Sequence, residues 1–519
     1  MYTGVGVLFA MFVMVAACTD LDELNTPSDQ ITADNVDASL LGQAFAQAQF
    51  RTMRGQPGGG FQTAQNLFSD LYAQYYATTA ENFDSDQYVQ VGGWSNGAWN
   101  SFYGGPAPQI HFVKNFTADN DMPVQNAVAK VWEVQAYHRM TDYWGPIIYS
   151  EFGSGETSVP YDSQQDIYTS FFQVLDEAAA NLQSGGSVFG GHDQVFDGDV
   201  EKWRTFANSL RLRLAMRISY VNPTLAQAEA EKAVAAGVMT EISQNALVAT
   251  TDNSRNALET ITDWGEFRMS ASMQSVLQGF DDPRLSEYFD PAVDNDEYRG
   301  LRNGLPPQLK GPDKNSGYSD MDIKYLPRSK GGSNPPIDVM RSSEVYFLRA
   351  EGALRGWNMG GTAQELYEEG IRQSLSDRTN ASAGEIDAYI NSLNTPAAYE
   401  NADYPDWNLP PLSDIPVAWD VLGDDERNLE QIITQKWLAL YPDGWEAWAE
   451  FRRTGYPTLY PILESQNPSV AEDSGGFHRL IFVVGERSNN AVAVQAAEGL
   501  LSGPDANMTK LWWDAKEWR

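Results

Sequence analysis

Side chains able to do chemistry are plentiful in this 519-residue chain, but few are spaced for catalysis. The four histidines, His111, His138, His192 and His478, lie far apart and lack the spacing of a zinc site. No G-x-S-x-G elbow, H-E-x-x-H helix, Walker A loop or G-x-G-x-x-G turn is present. One enzymatic chemistry stays open. With 70 Asp and Glu, a glycoside-hydrolase pair could be assembled in space without any sequence signature. Oxygen ligands for calcium cluster at Asp193/Asp197/Asp199 and at Asp313/Asn315, but the EF-hand spacing is not met. A helix cap and a turn use the same residues, so neither a metal nor a cofactor is expected.

The second chemistry is stacking. Aromatics make up 12% of the chain, with 15 Trp and 24 Tyr, more than a plain helical scaffold needs. Sugar rings present apolar C–H faces that lie flat on Trp and Tyr, while Asn, Asp, Gln and Arg reach the hydroxyls. Trp94 sits between Gly93 and Ser95-Asn96-Gly97, a composition that reads as a loop unable to bury it. Trp264, Tyr298, Tyr318 and Trp407 punctuate other segments rich in Gly, Pro, Asn and Asp. These five are the expected stacking residues, with Asn96 and Arg302 as hydrogen-bonding neighbours; core or loop packing is the competing role for each. The expected function is non-enzymatic binding of a nutrient, an oligosaccharide first. Rival readings are an all-helical glycoside hydrolase and a helical-repeat scaffold for other proteins. A formal charge of −35 repels phosphates and excludes nucleic acid as a partner.

These residues must be positioned by a mainly α-helical frame. Its clearest element runs from Asp197 to Tyr220. Asp199 is placed to cap the helix, Glu201 suits the first turn, and Trp203, Phe206, Leu210, Leu214 and Ile218 recur at helical spacing. Leu212 and Met216 widen the apolar face, so neighbours are expected on two sides. Arg211, Arg213 and Arg217 interrupt it and require carboxylate partners or water. Helix pairs are expected at Gln125–Trp144 with Ser163–Gln183, at this helix with Thr224–Ala236, at Ser342–Arg355 with Thr362–Leu375, and at Arg427–Leu440 with Trp445–Arg453. Their aromatics, Trp132, Trp203, Trp437 and Trp448, should be core. Further helices are read at Asp34–Met53 and Phe61–Thr79, separated by a turn at Gln56–Gly60, with Trp99, Phe102 and Tyr103 opening another. Irregular, loop-rich parts fall near 56–124, 245–338 and 395–419.

Such pairs resemble tetratricopeptide units. Several runs are also specific: GDVEKWRTFANSLRLRLAMR from Gly198, Asp282-Pro283-Arg284-Leu285, Ile432 to Leu459, and Thr509 to Asp514. Together they resemble the SusD/RagB-like nutrient-binding outer-membrane lipoproteins, over residues from Cys18 to the C-terminus. The resemblance implies four repeat units cradling an irregular ligand-binding part, with 34–519 as one SusD-like domain. It also implies a partner, a SusC-like TonB-dependent transporter that the protein closes as a lid. Some relatives take up peptides, so a peptide ligand is the alternative within the family.

The N-terminus fits that placement. Val5 to Ala17 is an apolar run of about 13 residues, short of the roughly 20 needed to span a membrane. It reads as a signal segment, 1–17, ending in Val15-Ala16-Ala17-Cys18, although no Lys or Arg precedes it. Cys18, the sole cysteine, is the expected lipidation site, and residues 18–33 form an acidic tether. The resemblance implies a surface-exposed lipoprotein of the outer membrane.

Overall fold

The computed structural model describes residues 36–54, 60–183, 187–472 and 476–517. Cys18, the signal segment, the tether and most of the Gln56–Gly60 turn lie outside the described residues.

The chain opens with α1 (Ala38–Arg54), then α2 (Gly92–Tyr103) and α3 (Pro106–Asp119). Two helix pairs follow: α4 (Pro123–Trp144) with α5 (Gln164–Asn181), and α6 (Val200–Arg217) with α7 (Pro223–Ala236). Shorter helices α8 (Leu258–Trp264), α9 (Ala271–Gly279) and α10 (Leu285–Tyr288) lie in the irregular part. Two more pairs complete the frame: α11 (Ser342–Leu354) with α12 (Ala363–Arg378), and, beyond α13 (Ala383–Ile390), α14 (Asp425–Leu440) with α15 (Gly444–Thr454). Helices α16 (Val484–Asn489) and α17 (Ala491–Glu498) close the chain. The pairs stack on one another, α5 on α6, α6 on α11 and α11 on α14.

Helix α6 is the axis of this stack. The Asp199 carboxylate accepts hydrogen bonds from the backbone amides of Glu201 and Lys202 at 3.0 and 3.1 Å, satisfying two orphan donors of the first turn. Both apolar stripes are buried, and so are the three arginines. Arg211 pairs with Asp176 and Glu229, and Arg213 with Glu344 at 2.6 Å. Arg217 reaches Glu446 at 2.6 Å and Glu450 at 2.5 Å. The carboxylates demanded by the sequence are therefore supplied by α5, α7, α11 and α15. Trp132, Trp203, Trp437 and Trp448 are all buried.

Two expectations are corrected. Phe61–Thr79 is not one α-helix: a π-helical turn at Gln62–Asp70 gives way to a strand, β1 (Tyr76–Thr78). This strand pairs antiparallel with a later one at Phe267–Met269, in register Tyr76↔Met269, so a non-local partner takes the backbone hydrogen bonds that a helix would have used. Trp94 is not in a loop but in the first turn of α2. The Gly- and Ser-rich stretch is a poor helix former, yet Ala98, Trp99 and Phe102 bury one face, and tertiary packing outweighs the weak propensity.

The irregular part is joined to the repeats by the Asp282–Arg284 pair, both side chains fully buried. Arg284 meets Asp282 at 2.6 Å and also donates to Gln435 on α14 at 2.8 Å. It also has a small core of its own, built from Ala77, Leu301, Leu305, Tyr318, Trp407 and Tyr460. That satellite core carries the site.

Candidate ligand-binding site

The loop 400–408 is built around Asn401, itself buried. Its side-chain oxygen accepts from the backbone amides of Asp403 and Tyr404, each at 3.0 Å. Its amide nitrogen donates to the hydroxyls of Tyr318 at 3.2 Å and Tyr399 at 3.0 Å. Tyr399 and Leu409 exchange backbone hydrogen bonds and close the loop at its base. Pro405–Trp407 then forms one 3₁₀ turn, in which side chains three residues apart eclipse one another. Tyr404 consequently lies flat on Trp407, with ring centroids 4.1 Å apart and planes within 13°.

Arg302 staples this loop from beneath, donating to the carbonyls of Trp407 at 3.3 Å and Pro461 at 2.6 Å. Burial pushes its pKa below the ordinary arginine value, against the opposing influence of Tyr399 and Tyr460. Arg302, Tyr318 and Trp407, three residues expected to meet ligand, thus sit under the surface at 5%, 5% and 9% exposure. They are the foundation of what lies above.

Above them, an open cleft of about 660 Å³ runs between the 295–299 and 400–408 segments. Its walls include Gln274, Gln278, Tyr298, Arg299, Asn401 and Asn408. This volume is within the roughly 300–1,000 Å³ typical of small-molecule sites. Arg299 is paired with Asp403 at 2.9 Å, and its guanidinium lies 5.6 Å from the Tyr318 ring centroid. Tyr298 is half-buried; desolvation, with Asp290 and Asp322 adding, raises its hydroxyl pKa and keeps it a neutral hydrogen-bonding group. The lining thus combines amides, one guanidinium, an aromatic ring and the carboxylates of Glu297 and Glu400, a set able to hydrogen-bond hydroxyl groups.

A second aromatic group lies on the Trp264 side. Trp264 ends α8 at 47% exposure, and the chain reverses at Gly265, whose φ of +66° suits a residue without Cβ. The Asn315 amide fixes that reversal by donating to the Gly265 carbonyl at 2.7 Å. Trp94 is half-buried and packs edge-on against Phe83 at 5.5 Å, and Phe83 stacks on Phe267 at 5.7 Å. Asn96 accepts from the Gly485 amide at 2.8 Å, tying α2 to the start of α16. Asn315 thus ties the end of α8 to the 3₁₀ segment Pro312–Gly317.

Sequence reasoning missed Tyr404, Arg299, Asn401 and the two glutamines of α9. The Tyr404–Trp407 spacing around Pro405 carried a readable signal, since a 3₁₀ turn stacks residues three apart. The glutamines carried none. The acidic clusters are used within the fold: Asp193 accepts from Trp203 at 2.6 Å and from the Gly198 amide at 2.9 Å, Asp199 is the cap, and Asp313 pairs with Lys314 at 3.2 Å. Among the described residues, no group of three or more His, Cys, Asp or Glu is arranged to hold a metal ion. Among the same residues no helix is long and apolar enough to cross a membrane.

A family model described as "SusD-like: Susd and RagB outer membrane lipoprotein" matches residues 23–514. Among solved structures, a chitin-binding SusD homologue from Flavobacterium johnsoniae is 37% identical, with a TM-score of 0.84 over 91% of this chain and 98% of its own. A SusD homologue from Bacteroides thetaiotaomicron is 33% identical, TM-score 0.83, covering 93% of this chain and all of the other. One from Bacteroides vulgatus is 32% identical, TM-score 0.81, covering 91% and 97%. Comparison with curated proteins gives no match. Stacked helix pairs with an irregular, loop-rich part packed against them define a mainly helical, tetratricopeptide-like fold. The chain belongs to the SusD-like family, whose members are nutrient-binding lipoproteins of the outer membrane.

Proposed function

We propose that this protein captures an oligosaccharide at the cell surface and delivers it as the lid of a SusC-like TonB-dependent transporter. The observation that carries this reading is the open, amide-lined cleft beside surface aromatics. Trp264, Trp94 and Tyr298 are the contacts within ring-stacking reach of solvent, and Arg302, Tyr318, Trp407 and Asn96 hold their surroundings in place. The chitin-binding relative makes oligomers of N-acetylglucosamine the first ligands to test.

Calorimetry with a panel of N-acetylglucosamine oligomers, glucose oligomers and mixed peptides decides the ligand class. Binding of at least one glycan is expected; tight peptide binding with no glycan binding overturns the proposal. Reducing ends appearing during incubation would turn the reading to a hydrolase. Trp264→Ala should leave the melting temperature nearly unchanged, because the ring is half-exposed, yet weaken glycan binding about tenfold. Stacking and apolar burial of one ring are worth roughly 1–3 kcal/mol. Loss of folding in this variant would make Trp264 structural.

Anchoring follows from Cys18, proposed as the lipid-bearing residue. One acyl chain holds a protein to a membrane only marginally, and stable anchoring takes more than one. Fractionation of cells lacking the transporter should find the wild type in the outer membrane and Cys18→Ala in the soluble fraction. Retention of the variant would place the anchor elsewhere.

A further inference from the structure

We propose that the ring face of Tyr404 turned away from Trp407 is a stacking subsite for one neutral sugar ring, beside the cleft that the adjoining Ala402 and Pro405 line. This rests on the oligosaccharide reading above and adds a contact that the sequence did not single out. Three observations converge on it.

The first is rigidity. The inner face of Tyr404 is backed by Trp407 at 4.1 Å, and its backbone is held at both ends. Its amide donates to Asn401, and its carbonyl accepts from the Trp407 amide at 2.9 Å. Trp407 in turn is fixed by Arg302. A partly exposed ring that is already held in place loses little side-chain entropy when a ligand covers it.

The second is an unused hydrogen-bonding group. The hydroxyls of the tyrosines packed beneath it are engaged: Tyr318 with Asn401, Tyr399 with the Gly300 carbonyl at 3.1 Å, Tyr460 with the Pro410 carbonyl at 2.9 Å. The Tyr404 hydroxyl has no hydrogen-bond partner among the described residues. A tyrosine presenting a flat apolar face and a free polar tip matches a pyranose, which offers C–H groups on its face and hydroxyls at its edge.

The third is the charge around it. Asp403 precedes the ring, its side chain 62% exposed beside Arg299, and Lys314 has Asp313 as its ion partner. Each cation is thus matched by a carboxylate, and Glu297 and Glu400 add negative charge to the cleft. This balance offers donors and acceptors to hydroxyls but opposes acidic sugars, so the ligand class is neutral glycans.

The test is calorimetry of wild type, Tyr404→Ala, Tyr404→Phe and Tyr404→Leu with the N-acetylglucosamine hexamer, or with the tightest-binding glycan of the panel. Tyr404→Ala should weaken binding about tenfold, as for loss of one stacked ring. Tyr404→Phe should stay within about threefold, because it keeps the face. Tyr404→Leu keeps an apolar cover on Trp407 and should lose as much affinity as the alanine variant; it carries the test if Tyr404→Ala fails to fold. Wild-type affinity in a folded alanine or leucine variant overturns the subsite and leaves the oligosaccharide reading standing. A wild type that binds no glycan in the panel brings down both. Acidic glycans binding more tightly than neutral ones would overturn the ligand class.

Discussion

Arg217→Met should destabilise the protein by about 3–5 kcal/mol, the range for removing one partner from a buried ion pair. Arg217 lies at the centre of a buried network that reaches the surface only at Arg355. Arg213, Arg217, Arg355, Lys436 and Arg453 meet Asp142, Glu344, Glu351, Glu446 and Glu450, drawn from four helix pairs of the stack. Charges balance within it. Methionine fills the volume but leaves one carboxylate uncompensated: Glu446 loses its closest cation, and Glu450 loses one of three. Desolvation alone would push Glu446 upward, but Arg217, Arg213 and Lys436 outweigh it and hold its pKa below the usual glutamate value. Without Arg217 that balance tips toward a protonated side chain. The check is chemical denaturation of Arg217→Met, Glu446→Gln and the double variant. The double variant should be more stable than the two single losses added together, because neutralising Glu446 removes part of the orphaned charge. Simple additivity would show that the two residues are not coupled.

The network's carboxylates divide by sign: Glu351, Glu446 and Glu450 are held low by their cations, whereas burial raises Glu344 and Asp142, which contribute in the opposite sense. Glu351 is held down to about 2, burial being outweighed by Arg453 and Arg355, and Glu450 lies well below its usual value, chiefly through Arg453 and Lys436 against desolvation. Groups with depressed folded pKa values contribute stability above their unfolded value, near 4.3, and that contribution is lost as pH falls through the folded values.

This network also marks what a sequence can and cannot disclose. That Arg211, Arg213 and Arg217 needed carboxylates was legible, because three charges interrupt a face that is otherwise apolar on both sides. Which carboxylates was not: Glu344 and Glu450 lie 131 and 233 residues away, and helical periodicity says nothing about such partners. The helix pairs were legible for the same local reason, since caps and spacing are written within each element. At the site the logic inverts. A stretch such as Tyr404-Pro405-Asp406-Trp407 has the composition of an exposed loop, so Trp407 reads as a ligand contact. The irregular part, however, builds its own core from just these residues, and burial there depends on non-local contacts with Arg302, Tyr318 and Pro461. The less buried partner of the stack was then the other ring, Tyr404.

Asp70→Asn should stabilise the protein at pH 8 and have little effect near pH 4. Asp70 ends the π-helical turn, fully buried, and a Cβ placed on Gly444 would meet its carboxylate oxygen at 2.2 Å, so α15 starts with its backbone against this side chain. Desolvation raises its pKa from 3.8 to about 7; hydrogen bonds from Gln65 and Asn66 and the charge of Arg139 oppose the rise, and Asp443 adds to it. Between those two values the folded state holds a proton that the unfolded state has released. Stability from this group is therefore fully present below about pH 3.8, declines as pH rises, and is gone above about pH 7. The difference is roughly 2–4 kcal/mol, from about 1.4 kcal/mol per unit. Asparagine is neutral throughout and removes the loss. It also offers an amide hydrogen to the side-chain oxygen of Asn66, which is buried without a partner, once the Asn66 amide turns over. Denaturation midpoints of both proteins, measured between pH 4 and pH 8, should converge at the acid end and separate toward pH 8. Parallel curves, or a variant weaker at pH 8, would mean that Asp70 is ionised in the folded protein and stabilised there by Gln65, Asn66 and Arg139.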